Sequence, residues 1–93
     1  MEILRIHFQD SGQDFTHWDV DPKTGLVVDC QPFQYSFWCD GKRRVKDIML
    51  LGPGRKLRLS DGGVLKHTIE RVEVVPADWL HMQNLAKAGL LAA

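Results

Sequence analysis

The sequence predicts a mainly β protein with one C-terminal helix (α+β): a small curled antiparallel sheet or partly open β-barrel of about six strands, capped by the helix. Three observations support this class. Short runs alternate between apolar and polar residues, turn-forming residues separate these runs about every eight to twelve positions, and the tail changes to helical spacing. Because 93 residues suffice for one modest core, we expect a single domain over 1–93, with the barrel or sheet in 1–75 and the packed helix in 76–92.

The clearest element is a hairpin that begins at Leu57. Leu57 and Leu59 fall on one face of the first strand, and the Asp-Gly-Gly sequence at 61–63 offers the positive φ angles that a tight hairpin turn needs. In the return strand, Leu65 and Ile69 again share one face. The alternation therefore predicts one buried and one solvent-exposed face.

A break in the alternation follows Ile69. Val72 and Val74 are the next apolar pair, and they have the opposite parity. A bulge near Glu70 and Arg71 would turn them to the same inward face. Since a bulge bends its strand, the break favours a curled sheet or small barrel over a flat sheet.

The first third of the chain predicts a strand followed by a hairpin. Leu4, Ile6 and Phe8 alternate with polar residues, which indicates a strand of about seven residues. Turn-forming residues at 9–14 end this strand, and the segment 15–30 folds back around a loop that contains Pro and Gly. The inward residues predicted for this hairpin are Trp18, Val20, Leu26, Val28 and Cys30.

The middle of the chain predicts two more strands. The aromatic-rich segment 32–38 starts at Pro32, which favours an edge strand or the first position of a strand. An Asp-Gly turn at 40–41 leads to a less regular strand over 43–50, which the Gly-Pro-Gly sequence at 52–54 stops.

The tail predicts a short amphipathic helix. Pro76 suits the first turn of a helix, and Gly89 weakens or ends it. A helix of about twelve residues is too short to be stable alone, so we expect Trp79 and Met82 to seal an open end or face of the sheet. The apolar residues at helical spacing are Trp79, Met82, Leu85 or Ala86, and Leu90, and those assigned to the other side are Asp78, His81, Asn84 and Lys87.

The net charge of zero conceals a division along the chain. Residues 1–40 carry two basic and seven acidic residues, for a net charge of −5, and residues 41–93 carry ten and five, for +5. Within the second part, 42–58 contains seven Lys and Arg against Asp47 alone, which puts +6 on seventeen residues. If folding does not pair the two parts, the surface is bipolar.

Two sets of residues with catalytic or metal-binding chemistry are weaker candidates. His7, Asp10, Asp14, His17, Asp19 and Asp21 are oxygen and nitrogen donors, but no pair has the spacing of a closed metal site, and aspartates in turns commonly bond to the turn backbone. Cys30 and Cys39 are expected to be buried thiols, and a nucleophile formed with His17 or His67 lacks a recognisable oxyanion hole. We therefore predict no metal, no cofactor and no enzymatic activity.

The strongest candidate is a binding surface that combines an aromatic strand with the basic segment. A basic groove beside exposed rings on a small barrel is a common way to hold single-stranded nucleic acid, although the same rings could equally be core residues. The predicted binding residues are Phe33, Tyr35, Phe37, Trp38, Lys42, Arg43, Arg44, Arg55, Lys56 and Arg58.

These features lead to two functional hypotheses. The first is a non-enzymatic protein–protein adaptor or self-associating subunit, which would bind another protein or a second copy of itself through the aromatic strand and the bipolar surface. The alternative is a barrel that binds single-stranded nucleic acid through 33–38 and 42–58. No apolar run approaches the length of a membrane span, so we expect a cytoplasmic protein without a membrane partner.

The order of the elements also resembles known small barrels. Alternating strands joined by Pro-Gly and Asp-Gly-Gly turns, followed by a terminal helix, are similar to Src-homology-3-like and oligonucleotide-binding-like barrels. The resemblance implies a fold only, because barrels of these kinds serve many unrelated functions.

Overall fold

A computed structural model describes residues 1–9, 17–31 and 42–90. Over these ranges, five strands form one curled, half-barrel antiparallel sheet in the order β3-β2-β1-β5-β4, and a helix packs on it. The predicted class is confirmed. The strands are β1 (Glu2–Phe8), β2 (His17–Val20), β3 (Val27–Gln31), β4 (Lys56–Arg58) and β5 (Val64–Pro76), and the helix is α1 (Trp79–Lys87).

The two edges of the sheet are joined by a short part of the basic segment. Residues 43–46 exchange backbone hydrogen bonds of 2.7 and 3.0 Å with residues 25–27, at the start of β3. On their other side they exchange bonds of 2.8 and 2.9 Å with residues 58–60, at the end of β4. Since both edge strands bond to the same four residues, the sheet closes into a partly open barrel at this point.

The strand predicted over 43–50 is therefore only partly correct. Bridges to neighbouring chain segments occur at Arg44 and Val45, but Ile48–Leu50 is a turn of 3₁₀-helix. Asp47 causes the change, because its φ of 57° lies in the left-handed region and ends the extended conformation.

The main core fills the inner face of the sheet. Phe8 and Trp18 pack edge to face here, with ring centroids 6.4 Å apart. The buried residues of this inner core are Ile6, Phe8, Trp18, Val20, Val27, Cys30, Val45, Leu57, Leu59 and Ile69. The predicted hairpin is confirmed, because Leu57 and Leu59 are both buried and Asp61 accepts a hydrogen bond of 2.8 Å from the Gly63 N–H within the turn.

The predicted bulge in β5 is confirmed, but one of its consequences is not. His7 pairs with Arg71 and Phe8 pairs with Ile69, so Glu70 is the additional residue in β5. Val72 then packs against the inner core, as predicted. Val74 does not, since it lies opposite Leu4 near the end of the sheet and is 58 % exposed.

A smaller second core lies between the outer face of the sheet and α1. Ile3, Leu26, Val28 and Leu85 are buried together, and Val75 and Leu90 pack against them. The sheet is consequently covered on both faces around β3. This explains why 26–28 reads as a continuous apolar run in the sequence.

The predicted inward face of the helix is only partly correct, because Leu85 and Leu90 pack on the sheet as predicted but Trp79 and Met82 are exposed. Trp79 is 72 % exposed and Met82 is 36 % exposed, whereas His81 and Leu85 are buried. Asn84, which was also assigned to the outer side, donates a hydrogen bond to the Val28 carbonyl. The helix is therefore rotated from the predicted orientation, and the physical reason is the hydrogen bonding of His81 described below.

The ends of the helix have clear local causes. Asp78 is its N-cap, accepting a hydrogen bond of 2.9 Å from the His81 N–H, while the Asp78 N–H donates to His81 Nδ1 at 3.1 Å. Gly89, with φ of 73°, ends it as predicted. Pro76 closes β5 and does not begin the helix, which corrects the prediction.

Across the described ranges, no helix combines the length and the apolar character that crossing a bilayer requires.

Candidate functional site

The aromatic part of the predicted site lies outside the described residues. Phe33, Tyr35, Phe37 and Trp38 belong to the interval between 31 and 42, so their role stays a prediction. The basic part of the site is described in full. Its geometry is therefore the basis for the argument about function.

The fold brings the predicted cations together from two separate segments. One group lies on the segment that closes the barrel, and the other lies on β4 or immediately before it. Because 43–46 bonds along 58–60, the two groups become neighbours. We call this set the basic surface, and it consists of Lys42, Arg43, Arg44, Lys46, Arg55, Lys56 and Arg58.

A shallow depression of about 210 Å³ lies at one end of the basic surface. Within the described part of the chain, no carboxylate lies within ion-pair distance of its four cations. Among the described residues of its lining, Asp47 is the one carboxylate, so their formal charge is +3. The residues that line this Lys46 depression are Lys46, Asp47, Leu50, Leu51, Arg55, Lys56 and Arg58.

A second depression, of about 270 Å³, lies on the basic surface at the other end of the same backbone pairing. Three cations and one carboxylate line it, for a formal charge of +2. We call it the Ser60 depression, and its lining residues are Lys42, Arg43, Arg44, Leu59, Ser60 and Asp61. Two adjacent concave regions of the same sign attract a ligand with several negative charges.

Sequence reasoning missed part of this surface. Lys46 was counted in the charge of the segment but not among the binding residues, and Leu50 and Leu51 were expected in or beside a strand. Leu50 and Leu51 line the Lys46 depression because of the 3₁₀ turn. The Asp at position 47 was the sequence feature that could have indicated this turn, since Asp tolerates the left-handed conformation that starts it.

A buried ionic cluster is the second notable site, and it lies between the sheet and α1. Arg5 donates to both oxygens of Asp19, from Nε and from an Nη, at 2.9 Å each. His81 Nε2 lies 2.7 Å from Asp19 Oδ2, and both side chains are fully buried. When the His81 ring is neutral, Nδ1 accepts from the Asp78 N–H, so Nε2 carries the proton and donates to Asp19.

The cluster shifts the pKa values of both buried partners. Burial alone would raise the pKa of Asp19, but the hydrogen bonds from His81 and Arg5 outweigh it and hold this pKa below its usual value. Burial alone would lower the pKa of His81, but the hydrogen bond to Asp19 and the nearby carboxylates outweigh it and raise this pKa. Asp19 is thus ionised over a wide pH range, and it fixes α1 to the sheet.

Donor atoms with the geometry of a metal site occur beside this cluster. One donor atom each from His17, Asp19 and Asp29 lies within 4.8 Å of the others. Both oxygens of Asp19 already accept from the Arg5 guanidinium, and this fixed positive charge repels a cation. Of the other donors considered from the sequence, Asp21 accepts from the Thr24 hydroxyl at 2.6 Å in its own turn.

Three of the four acidic residues that the structure describes in residues 1–40 are buried, and Glu2 is exposed. Asp19 is 0 %, Asp21 is 5 % and Asp29 is 9 % exposed. Asp10, Asp14 and Asp40 lie outside the described residues. The bipolar charge of the sequence therefore does not become two opposed faces over the part of the chain that the structure describes.

The candidate nucleophile is separated from His17, one of its two candidate bases. Cys30 is buried in the inner core, where it pairs across the strands with Trp18. His17 is adjacent to Trp18 in β2, so it lies on the opposite, outer face of the sheet. Cys39 lies outside the described ranges.

Comparison of the chain with protein-family models, with curated proteins and with solved structures finds no match.

Proposed function

We propose that the chain is a non-enzymatic binding module whose basic surface holds single-stranded nucleic acid. The observation that carries the proposal is the Lys46 depression, where Lys46, Arg55, Lys56 and Arg58 converge around one carboxylate. Over the described residues these cations have no carboxylate within ion-pair distance, so they are available to replace the counterions of a phosphate backbone. The adjacent Ser60 depression extends the positive track to a second group of phosphates.

The distribution of acidic residues supports nucleic acid over docking by opposite charges. A protein partner attracted by a bipolar surface needs an exposed acidic face as well as a basic one. Asp19 and Asp29 are instead directed to the outer face of the sheet beside α1, where both are almost entirely buried. Among the described residues of the acidic half, these buried aspartates therefore offer less repulsion to phosphates than the sequence suggests.

Fluorescence anisotropy with a labelled oligothymidylate tests this proposal. Engagement of five to seven cations predicts a slope of about −3.5 to −5 for the logarithm of the association constant against the logarithm of the salt concentration. Arg58→Gln removes one exposed cation from the Lys46 depression, so it should weaken binding and reduce the slope by about 0.7.

Lys87→Gln is the matched control, because it removes one positive charge from the exposed last turn of α1. It should leave both the affinity and the slope unchanged. Equal effects of the two substitutions would show that only the net charge matters. Absence of binding at low salt would contradict the proposal itself.

A protein–protein adaptor or self-associating subunit is the second candidate function. The observation that favours it is the exposed apolar surface of α1, where Trp79 is 72 % and Leu80 is 38 % exposed. Aromatic side chains of this kind are enriched at protein interfaces. Light scattering after gel filtration at low and high salt tests it, since a dimer that persists at high salt and dissociates on Trp79→Ser would favour this candidate.

A further inference from the structure

The 3₁₀ turn Ile48–Leu50 places apolar side chains at the edge of the Lys46 depression. Met49 is 94 % exposed and Leu50 is 54 % exposed, and Leu50 also lines the depression. Large apolar side chains at such exposure contribute little to the core. Their position next to the four cations of the depression needs a reason other than folding.

The turn holds these side chains in a defined position. Ile48 and Leu51, on either side of them, pack against the inner core. The Leu50 N–H donates to the Asp47 carbonyl at 2.8 Å, and the Leu51 N–H donates to the Ile48 carbonyl at 3.2 Å. The exposed pair is therefore carried on an anchored turn, which reduces the entropy lost when a ligand binds.

We infer that Met49 and Leu50 contact the unstacked bases of a single strand whose phosphates lie in the Lys46 depression, an inference that rests on the proposed function. A single strand offers apolar base faces together with phosphates, and this is the combination that the turn and the depression match. In a duplex the base faces are stacked on each other and are hidden from side chains that remain outside the helix. A thioether also packs favourably against aromatic rings.

Asp47 limits where the phosphates lie. Its carboxylate is part of the lining of the depression, so it repels phosphate and favours a position nearer to Arg55, Lys56 and Arg58. Its backbone starts the turn in a left-handed conformation, which Asn also tolerates. Asp47→Asn therefore removes the repulsion while keeping the turn.

The test compares binding of single-stranded and duplex probes of equal length. Wild type should bind a labelled oligothymidylate at least about tenfold more tightly than a duplex. Met49→Ser combined with Leu50→Ser should weaken single-strand binding by about fivefold to tenfold and leave the salt slope and the duplex affinity unchanged. Asp47→Asn should tighten binding of both probes and steepen the slope.

Met82→Ser is the matched control, because Met82 is an exposed methionine on α1, and it should change neither affinity. Circular dichroism and urea unfolding verify that the double variant folds. If wild type binds no oligonucleotide, the proposed function fails. If it binds but the double variant binds equally well, or the duplex binds as tightly as the single strand, only this inference fails.

A lipid surface is the competing occupant, since exposed apolar residues flanked by cations also suit an anionic bilayer. Co-sedimentation with vesicles of phosphatidylserine and phosphatidylcholine measures this directly. Retention on such vesicles that is lost in the Met49→Ser, Leu50→Ser variant, without oligonucleotide binding by wild type, would overturn the inference. Retention of the protein on vesicles that is weaker than its oligonucleotide binding at the same salt would support the inference.

Discussion

Gly25 is the residue at which closure of the barrel is most constrained. Its φ is 80°, and a Cβ atom at this position would lie 2.5 Å from the Val45 carbonyl oxygen. The same close approach allows the Val45 N–H to donate to the Gly25 carbonyl at 2.7 Å. The sequence predicts Gly25 as the end of a loop, but the need for a bare backbone arises from Val45, twenty residues away.

We expect Gly25→Ala to lower the free energy of unfolding by at least about 2 kcal/mol, because it combines a strained φ with a steric conflict against backbone. Gly54→Ala is the control, since Gly54 has a φ of 84° but nothing within 4 Å of its Cβ position. Gly54→Ala should lower the free energy of unfolding only by the cost of the left-handed φ, about 1 kcal/mol. Urea denaturation measures both, and equal losses would contradict the role of the close approach.

The aspartates show why some residues can be interpreted from sequence and others cannot. Asp21 and Asp61 make hydrogen bonds within their own turns, as the turn composition predicts. Asp19 instead pairs with Arg5 across neighbouring strands and with His81, which is 62 residues away. These partners depend on strand register and on docking of the helix, and neither is visible in the local sequence.

At the scale of elements, the bulge was predictable and the orientation of the helix was not. The bulge follows from the parity of Ile69 and Val72, a local property of one strand. Counting apolar residues at helical spacing places Trp79 and Met82 on the same face as Leu85. The buried carboxylate on the sheet selects a different face, which keeps Leu85 and adds His81, because Asp19 needs the hydrogen bond that His81 supplies.

The orientation of α1 predicts which of its apolar residues stabilises the fold. Leu85 is 1 % exposed in the second core, so Leu85→Ala should lower the free energy of unfolding by about 2 to 4 kcal/mol. Met82→Ala should change it by less than about 0.5 kcal/mol, because Met82 lies near the surface. Thermal and urea unfolding of both variants provide the measurement. A loss for Met82→Ala as large as that for Leu85→Ala would restore the inward position that the sequence predicts for Met82.

At the scale of the whole molecule, the class of fold follows from alternation and turns, but closure of the barrel does not. The sequence predicts a less regular strand over 43–50, but it does not show that residues 43–46 pair with both edges of the sheet. This pairing with both edges comes from the curl of the entire sheet. The two depressions of the basic surface also depend on this closure of the sheet. The sequence therefore shows the run of positive charges but not the depressions.

The buried ionic cluster makes the global stability depend on pH. The pKa of Asp19 is below its usual 3.8, so its contribution is present above pH 3.8 and is lost as the pH falls through the lowered value. The pKa of His81 is above its usual 6.5, so its contribution is complete below pH 6.5 and is lost as the pH rises through the raised value. The contact between α1 and the sheet is therefore strongest between these two limits.

His81→Gln isolates this dependence. The substitution should cost about 1 to 3 kcal/mol of unfolding free energy where the contact is strongest, and the cost should fall as the pH rises above 6.5. Burial lowers the pKa of His17, which gives stability the opposite pH dependence, but this effect is common to both proteins and cancels in their difference. Urea unfolding at a series of pH values from 4 to 9 gives that difference. A cost that stays constant through this range would mean that His81 acts only as a neutral hydrogen-bond donor to Asp19.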